Sequence, residues 1–304
     1  MYAAPSEIPC EVFAELPDEL RRTGAASEWT RWQPGEARAH SLLEGLSFDR
    51  AGRLWCVDVA FGRIFRVSAD GRFEVVAEYA GEPNGLRIHR DGRIFIADYK
   101  HGIMQLDPAS GRVEPFLTRY RLERFKGVND LIFASNGDLY FTDQGLTGLQ
   151  DPTGRLFRLT AGGELQCLLD NIPSPNGLVL NMDETQVYVG VTRANAVWCV
   201  PVLPDGSVIK AGTFIQLSGG AGPDGMAMDE AGNILVCHVG LGSVWVFDPF
   251  GEPLHRIRSP RGRKTTNLAF GGPDRRTLYI AEAESGCILK AEMPVAGRVL
   301  YAHL

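Results

Sequence analysis

The feature that most constrains this chain is an internal repeat. An acid or amide followed by a small and an apolar residue recurs as Glu44-Gly45-Leu46, Asn84-Gly85-Leu86, Asn129-Asp130-Leu131, Asn176-Gly177-Leu178, Asp224-Gly225-Met226 and Asn267-Leu268-Ala269. The steps between copies are 40, 45, 47, 48 and 43 residues. Repeats of this length signal stacked supersecondary units. Turn sequences such as Arg90-Asp91-Gly92-Arg93 and Ser135-Asn136-Gly137-Asp138 precede short β-rich runs at 54–57, 94–97, 139–142, 187–191, 234–237 and 278–281. A glycine and another alternating strand follow, as at 62–67 and 242–247. No segment sustains a helical period, and only 17–22 hints at a helical turn. A β-sandwich would not produce so regular a repeat. The expectation is all-β: a six-bladed β-propeller of four-stranded antiparallel blades. Residues 1–304 are then one propeller domain, with segment 1–39 contributing to ring closure.

Composition narrows the function. The 35 glycines and 18 prolines are spread along the chain, and 44% hydrophobic with 22% charged residues are globular values. A net charge of −6 argues against a nucleic-acid partner, which needs clustered Lys and Arg. The best uncharged run, 194–204, is far too short to span a membrane. Residues 1–15 carry acids and prolines where an export signal is basic and then apolar, so a cytoplasmic location is expected. Cys10, Cys56, Cys167, Cys199, Cys237 and Cys287 lack CxxC spacing and read as reduced thiols used as small hydrophobes.

In a propeller the innermost strand of each blade lines the central channel, and the repeated polar residue opens that strand. Glu44, Asn84, Asn129, Asn176, Asp224 and Asn267 therefore form a ring at one end of the axis. Crowded carboxylates need a cation or protons. An oxygen-only shell suits a divalent ion, Ca2+ foremost, with Mg2+, Mn2+, Zn2+ or Fe2+ as the other candidates. The competing reading of each copy is a turn residue that tolerates left-handed backbone. Asp58, Asp98, Asp143, Val191, His238 and Glu282 form a second column at the ends of the following strands. These residues either meet substrate and move protons, or cap turns through hydrogen bonds. Arg256, Arg258, Arg261, Arg263 and Lys264 either draw in anions or form a solvated loop. Gly240-Leu241-Gly242 has no helix after it and is a turn; neither a Gly-x-Ser-x-Gly elbow nor a phosphate-binding GK[ST] occurs.

The motifs Leu43-Glu44-Gly45-Leu46, Gly127-Val128-Asn129-Asp130, Ser174-Pro175-Asn176-Gly177-Leu178 and Pro223-Asp224-Gly225-Met226-Ala227, with the ending Met293-Pro294-Val295-Ala296-Gly297-Arg298, resemble the regucalcin (senescence marker protein) and gluconolactonase family. The resemblance spans residues 40–304 and implies a calcium-dependent propeller that hydrolyses sugar lactones. It implies a metal held by Glu44, Asn176 and Asp224, with Asn129 ligating directly or through substrate or water, and Asp224 as general base. The arginine that the family uses to recognise a sugar acid is Gly127 here, beside Lys126.

The expected reaction is hydrolysis of a lactone or ester by an activated water at a polarised carbonyl. Asp224 or His238 serves as base. Asn84, Lys126, Asp143, Asn267, Asp58, Asp98 and Glu282 surround substrate and metal. The alternatives are a phosphotriesterase or arylesterase on the same ion, and a non-catalytic ligand-binding propeller.

Overall fold

The computed structural model describes residues 4–33, 35, 36 and 39–304; residues 1–3, 34, 37 and 38 of the proposed closing segment lie outside them. Six sheets are arranged around an axis, each with four antiparallel strands, which follow in sequential order in all but the sixth. Their innermost strands are Leu43–Phe48, Pro83–Ile88, Val128–Phe133, Pro175–Leu180, Gly222–Met228 and Thr265–Gly271. Each packs on the next, and the last returns to the first. Ring closure comes from the N-terminal segment. Glu11–Glu15 pairs antiparallel with Cys287–Glu292 as the outer strand of the sixth sheet, and Ser6–Ile8 adds a parallel fifth strand to the fifth. Part of the basic cluster secures these strands: Arg258 pairs with Glu7, and Arg261 with Glu15.

A blade is too thin to hold a core of its own, so the apolar side chains fill the gaps between blades. Val57, Ile64, Leu86 and Ile96 pack between the first and second. Leu156, Ile172, Leu178 and Val189 do the same between the third and fourth. Leu16, Leu43, Phe65 and Ile288 fill the seam between sixth and first, where the N-terminal strand completes the packing. All six cysteines are free, and Cys56, Cys237 and Cys287 are buried. Among the described residues helix is confined to the five residues Glu28–Trp32, capped reciprocally by Ser27 and Thr30, and to four one-turn 3-10 segments. One of these, Asp18–Leu20, falls within the expected helical turn.

One device recurs in every blade. The register between first and second strands slips at the repeated polar residue, between Glu44 and Ser47, Pro83 and Leu86, Val128 and Leu131, Pro175 and Leu178, Pro223 and Met226, and Thr265 and Leu268. A bulge sets two residues against one and re-aims a side chain. The residue after the polar one must usually be glycine because the neighbouring blade crosses there. A Cβ on Gly225 would lie 2.8 Å from the Cα of Asn267, and one on Gly85 2.5 Å from Asp130 Oδ1. Gly45 also has φ of 61°, and its missing Cβ would collide with the Asn84 carbonyl oxygen. Gly45→Ala is therefore expected to destabilise the protein by about 2–4 kcal/mol, from overpacking and left-handed strain together, as a lower denaturant midpoint at unchanged slope.

Candidate metal and hydrolytic centre

The bulges bring Glu44, Asn129, Asn176 and Asp224 to one end of the channel. Glu44, Asn129 and Asn176 are buried, and Asp224 is largely so. Burial pushes the Glu44 carboxyl well up, and the neighbouring Asp224 and Asp130 push in the same direction. Asp224 is raised to about 8 by burial; the adjacent Asn176 amide opposes this, while Asp130 adds to it. The buried Cys237 thiol feels both Asp224 and Glu44, as expected of carboxyls from the first and fifth blades meeting at the axis.

Asn129 is oriented by a relay that begins on a loop. Its Nδ2 donates to Gln144 Oε1 at 3.1 Å, and Gln144 Nε2 donates to Ser174 Oγ at 3.0 Å. Ser174 is itself held in left-handed backbone, φ 66°, with its N–H donating to Thr147 Oγ1 at 3.0 Å. The amide nitrogen is thereby fixed, and Asn129 Oδ1 stays buried without a hydrogen-bond partner. An orphaned acceptor together with two carboxyls that are both pushed up is a donor set suited to a hard divalent cation. The residues present fit such an ion. Among the described residues no three His, Cys, Asp or Glu gather in metal-binding fashion, so the set consists of two carboxylates supplemented by amide oxygens.

The sixth copy of the repeat is out by one. The strand-end partner of Leu43 is Asp58, and Glu282 faces Thr265 in the same way. Thr266 therefore occupies the position of Glu44, and Asn267 that of Gly45. Thr266 Oγ1 donates to the Leu43 carbonyl at 2.7 Å, and Asn267 lies beside the Glu44 carboxyl. Asn84 is half-buried at the equivalent position of the second blade.

The residues of the second column stand opposite the openings of the inner strands, and the side chains of its polar members have partners close by. Asp58 accepts from Arg63 Nε at 2.9 Å and from the Leu42 N–H at 2.7 Å. Asp143 does the same with Arg155 Nε at 2.7 Å and the Gly127 N–H at 2.8 Å. Asp98 accepts from Tyr79 and the N–H groups of Glu82, Lys100 and His101. Glu282 accepts from the N–H groups of Lys264, Glu284 and Ser285. These contacts cap strand ends and turns. His238 is buried, with Nε2 2.9 Å from the Gly219 carbonyl and Nδ1 3.3 Å from Trp245 Nε1. A donor on one nitrogen and an acceptor on the other leave the neutral ring no free lone pair, so this arrangement gives His238 no base to offer. Lys126 is exposed and donates to the Thr153 carbonyl at 2.9 Å.

Tyr99 and Gln144 escaped the sequence reading because neither belongs to the repeated column. Tyr99 explains Gly127: a Cβ there would lie 2.7 Å from the tyrosine ring, which fills the space of the missing side chain.

The model of the SMP-30/Gluconolactonase/LRE-like region matches residues 42–284. Gluconolactonase from Zymomonas mobilis is 32% identical over 220 residues, covering 66% of this chain and 61% of that protein. Lactonase drp35 from Staphylococcus aureus is 32% identical over 231 residues, 72% of this chain and 70% of that one. Among solved structures, the calcium-binding protein regucalcin from Agrobacterium tumefaciens superposes with a TM-score of 0.79 at 24% identity, over 99% of this chain and 100% of that one. A gluconolactonase from Xanthomonas campestris gives 0.74 at 23% identity, over 97% and 99%. At these identities the two structures bear on the fold. No helix among the described residues is long and apolar enough to cross a membrane.

Proposed function

Since the chain belongs to the SMP-30/gluconolactonase/LRE-like family, we propose that it is a lactonase, a hydrolase that opens a cyclic ester with the help of one divalent cation, Ca2+ foremost. The observation that carries this reading is the meeting of the Glu44 and Asp224 carboxyls with an Asn129 oxygen that no protein group satisfies. Glu44, Asn129, Asn176 and Asp224 would hold the ion. Its chemical contribution when bound is to neutralise the two carboxylates and withdraw charge from the ester carbonyl.

The chain's own groups divide the remaining work. The Gln144–Ser174 relay holds the Asn129 amide so that its oxygen faces the channel. Tyr99 walls the mouth, donating its hydroxyl to the Gly145 carbonyl. Asp224 takes one proton from the attacking water as that water's oxygen bonds to the carbonyl carbon. The ring C–O bond then breaks, and the Asp224 carboxyl returns the proton to the departing alkoxide, so one water is consumed and a hydroxy acid released. Asp224 has this role rather than His238 because the histidine's nitrogens are both engaged.

Stripping the protein with a chelator is expected to abolish turnover of aldonolactones, and one particular divalent ion to restore it. Full activity in the stripped protein, checked by metal analysis, would end the metal-dependent reading.

A further inference from the structure

Val191 is the one apolar member of the strand-end column, and it opens the one-turn helix that follows. The one-turn helix Thr192–Ala194 is tied to the strand that carries Asp224. Thr192 Oγ1 donates to the Pro223 carbonyl at 2.8 Å, and its N–H donates to the Ser174 carbonyl at 3.0 Å. Gly222 sits so close to the Thr192 carbonyl that no side chain would fit on it. Arg193 is therefore fixed between the fourth and fifth blades, beside Asp224, while remaining exposed.

Several other cations of the blade ends are committed. Arg63 and Arg155 are bound to buried aspartates, Lys100 to Glu28 and Lys264 to Glu36. Arg256 stacks 4.4 Å from the Trp245 ring centroid and donates to Ser243. Among the described residues Arg193 has neither an ion pair nor a side-chain hydrogen bond. Its charge reaches two groups of the mouth, the Asp224 carboxyl and the Tyr99 phenol. A guanidinium is a planar fork matched to carboxylate and phosphate.

We propose that Arg193 selects the substrate by binding an anionic substituent on the lactone, so that the preferred substrates are lactones carrying a carboxylate or a phosphate. The inference rests on the lactonase reading and deepens it. With the divalent ion offsetting Glu44 and Asp224 and Arg87 beside Asp130, an anionic substituent that points away from the ion still needs a counter-charge of its own, and Arg193 stands where it can supply one. On the third blade the Tyr99 ring fills the space beside Gly127, so no side chain of that residue competes for the substituent.

The test compares kcat/KM of the wild type, Arg193→Ala and Arg193→Lys, all loaded with the activating cation. The substrates are a neutral aldonolactone, the monolactone of a dicarboxylic sugar acid and a phosphorylated aldonolactone. The wild type should favour one of the anionic lactones, which identifies the substituent. In Arg193→Ala the anionic-to-neutral ratio should fall about 10–100-fold, the range of a charged hydrogen bond, mostly through KM; lysine should restore part of it. A ratio within twofold of the wild type in Arg193→Ala overturns the proposal. If the wild type opens no lactone, the lactonase reading fails by itself. Calorimetric binding of the open dicarboxylic and phosphorylated sugar acids, against the neutral polyol, then decides on Arg193. Anion binding that is lost in Arg193→Ala supports it, and binding that is absent or unaltered overturns it.

Discussion

Asp224→Ala and Asn176→Ala are each expected to lower lactone turnover by about a thousandfold or more while leaving the propeller folded. The size follows from what each removes. In the proposed centre Asp224 would supply both the proton acceptor and one of two carboxylates for the cation, and charge stabilisation in a buried site contributes the largest single part of most rate enhancements. The folded state should tolerate the loss because these groups do not hold the blades together. Burial and Asp130 already disfavour the Asp224 carboxylate, so removing it relieves a cost. Asn176 makes its structural contact through the backbone, its carbonyl accepting from Thr142 Oγ1 at 2.7 Å, which alanine preserves. Steady-state kinetics at saturating cation, beside circular dichroism and thermal melts, measures both. If both folded variants keep turnover near the wild-type level, the proposed centre is not where the chemistry occurs.

Arg63→Ala should do the opposite. Its guanidinium and the Asp58 carboxylate are both buried, with Nη2 and Oδ2 2.5 Å apart. Removing one partner of such a pair typically costs about 3–5 kcal/mol, because the other is stranded as a buried charge. The deficit should shrink as the pH falls. Burial already pushes the Asp58 carboxyl up and Arg63 is the chief opposing influence; without it the folded-state carboxyl rises further. An acid that titrates higher in the folded than in the unfolded state is a liability above its unfolded value of about 3.9, and the liability fades as pH descends towards that value. Denaturant titrations at pH 7.5 and pH 5 should therefore show a smaller difference from the wild type at the lower pH. Turnover per folded molecule should stay within about threefold of wild type, since Asp58 faces Arg63 and the Leu42 amide; a loss as large as that of Asp224→Ala would make the pair part of the reaction.

The period of the repeat made the blade number and both columns legible, because each copy solves the same packing problem. The pairings of Leu43 with Asp58, Pro83 with Asp98 and Pro223 with His238 put the second column in register with the first. The slip in the last copy has a local reason. Thr265-Thr266-Asn267 has no glycine to mark the crossing point, so the amide drew the eye while Thr266 held the position. The occupation of the aspartates, His238 and Lys126 could not be read, since their partners come from other strands and loops. Tyr99, Gln144 and Arg193 went unnoticed for the same reason: loop conformation, not the repeat, brings them to the mouth. The helix Glu28–Trp32 is too short to display a period.

The six bulges separate architecture from reactivity. A bulge is held by backbone hydrogen bonds and by the crossing of the next blade, and neither depends on which side chain projects from it. Glutamate, asparagine, aspartate and threonine already share one backbone solution in this molecule. Such a scaffold resembles a chuck with interchangeable bits: exchanging the projecting groups retools the centre for another ion or another leaving group, while the interblade packing that keeps the ring intact goes undisturbed.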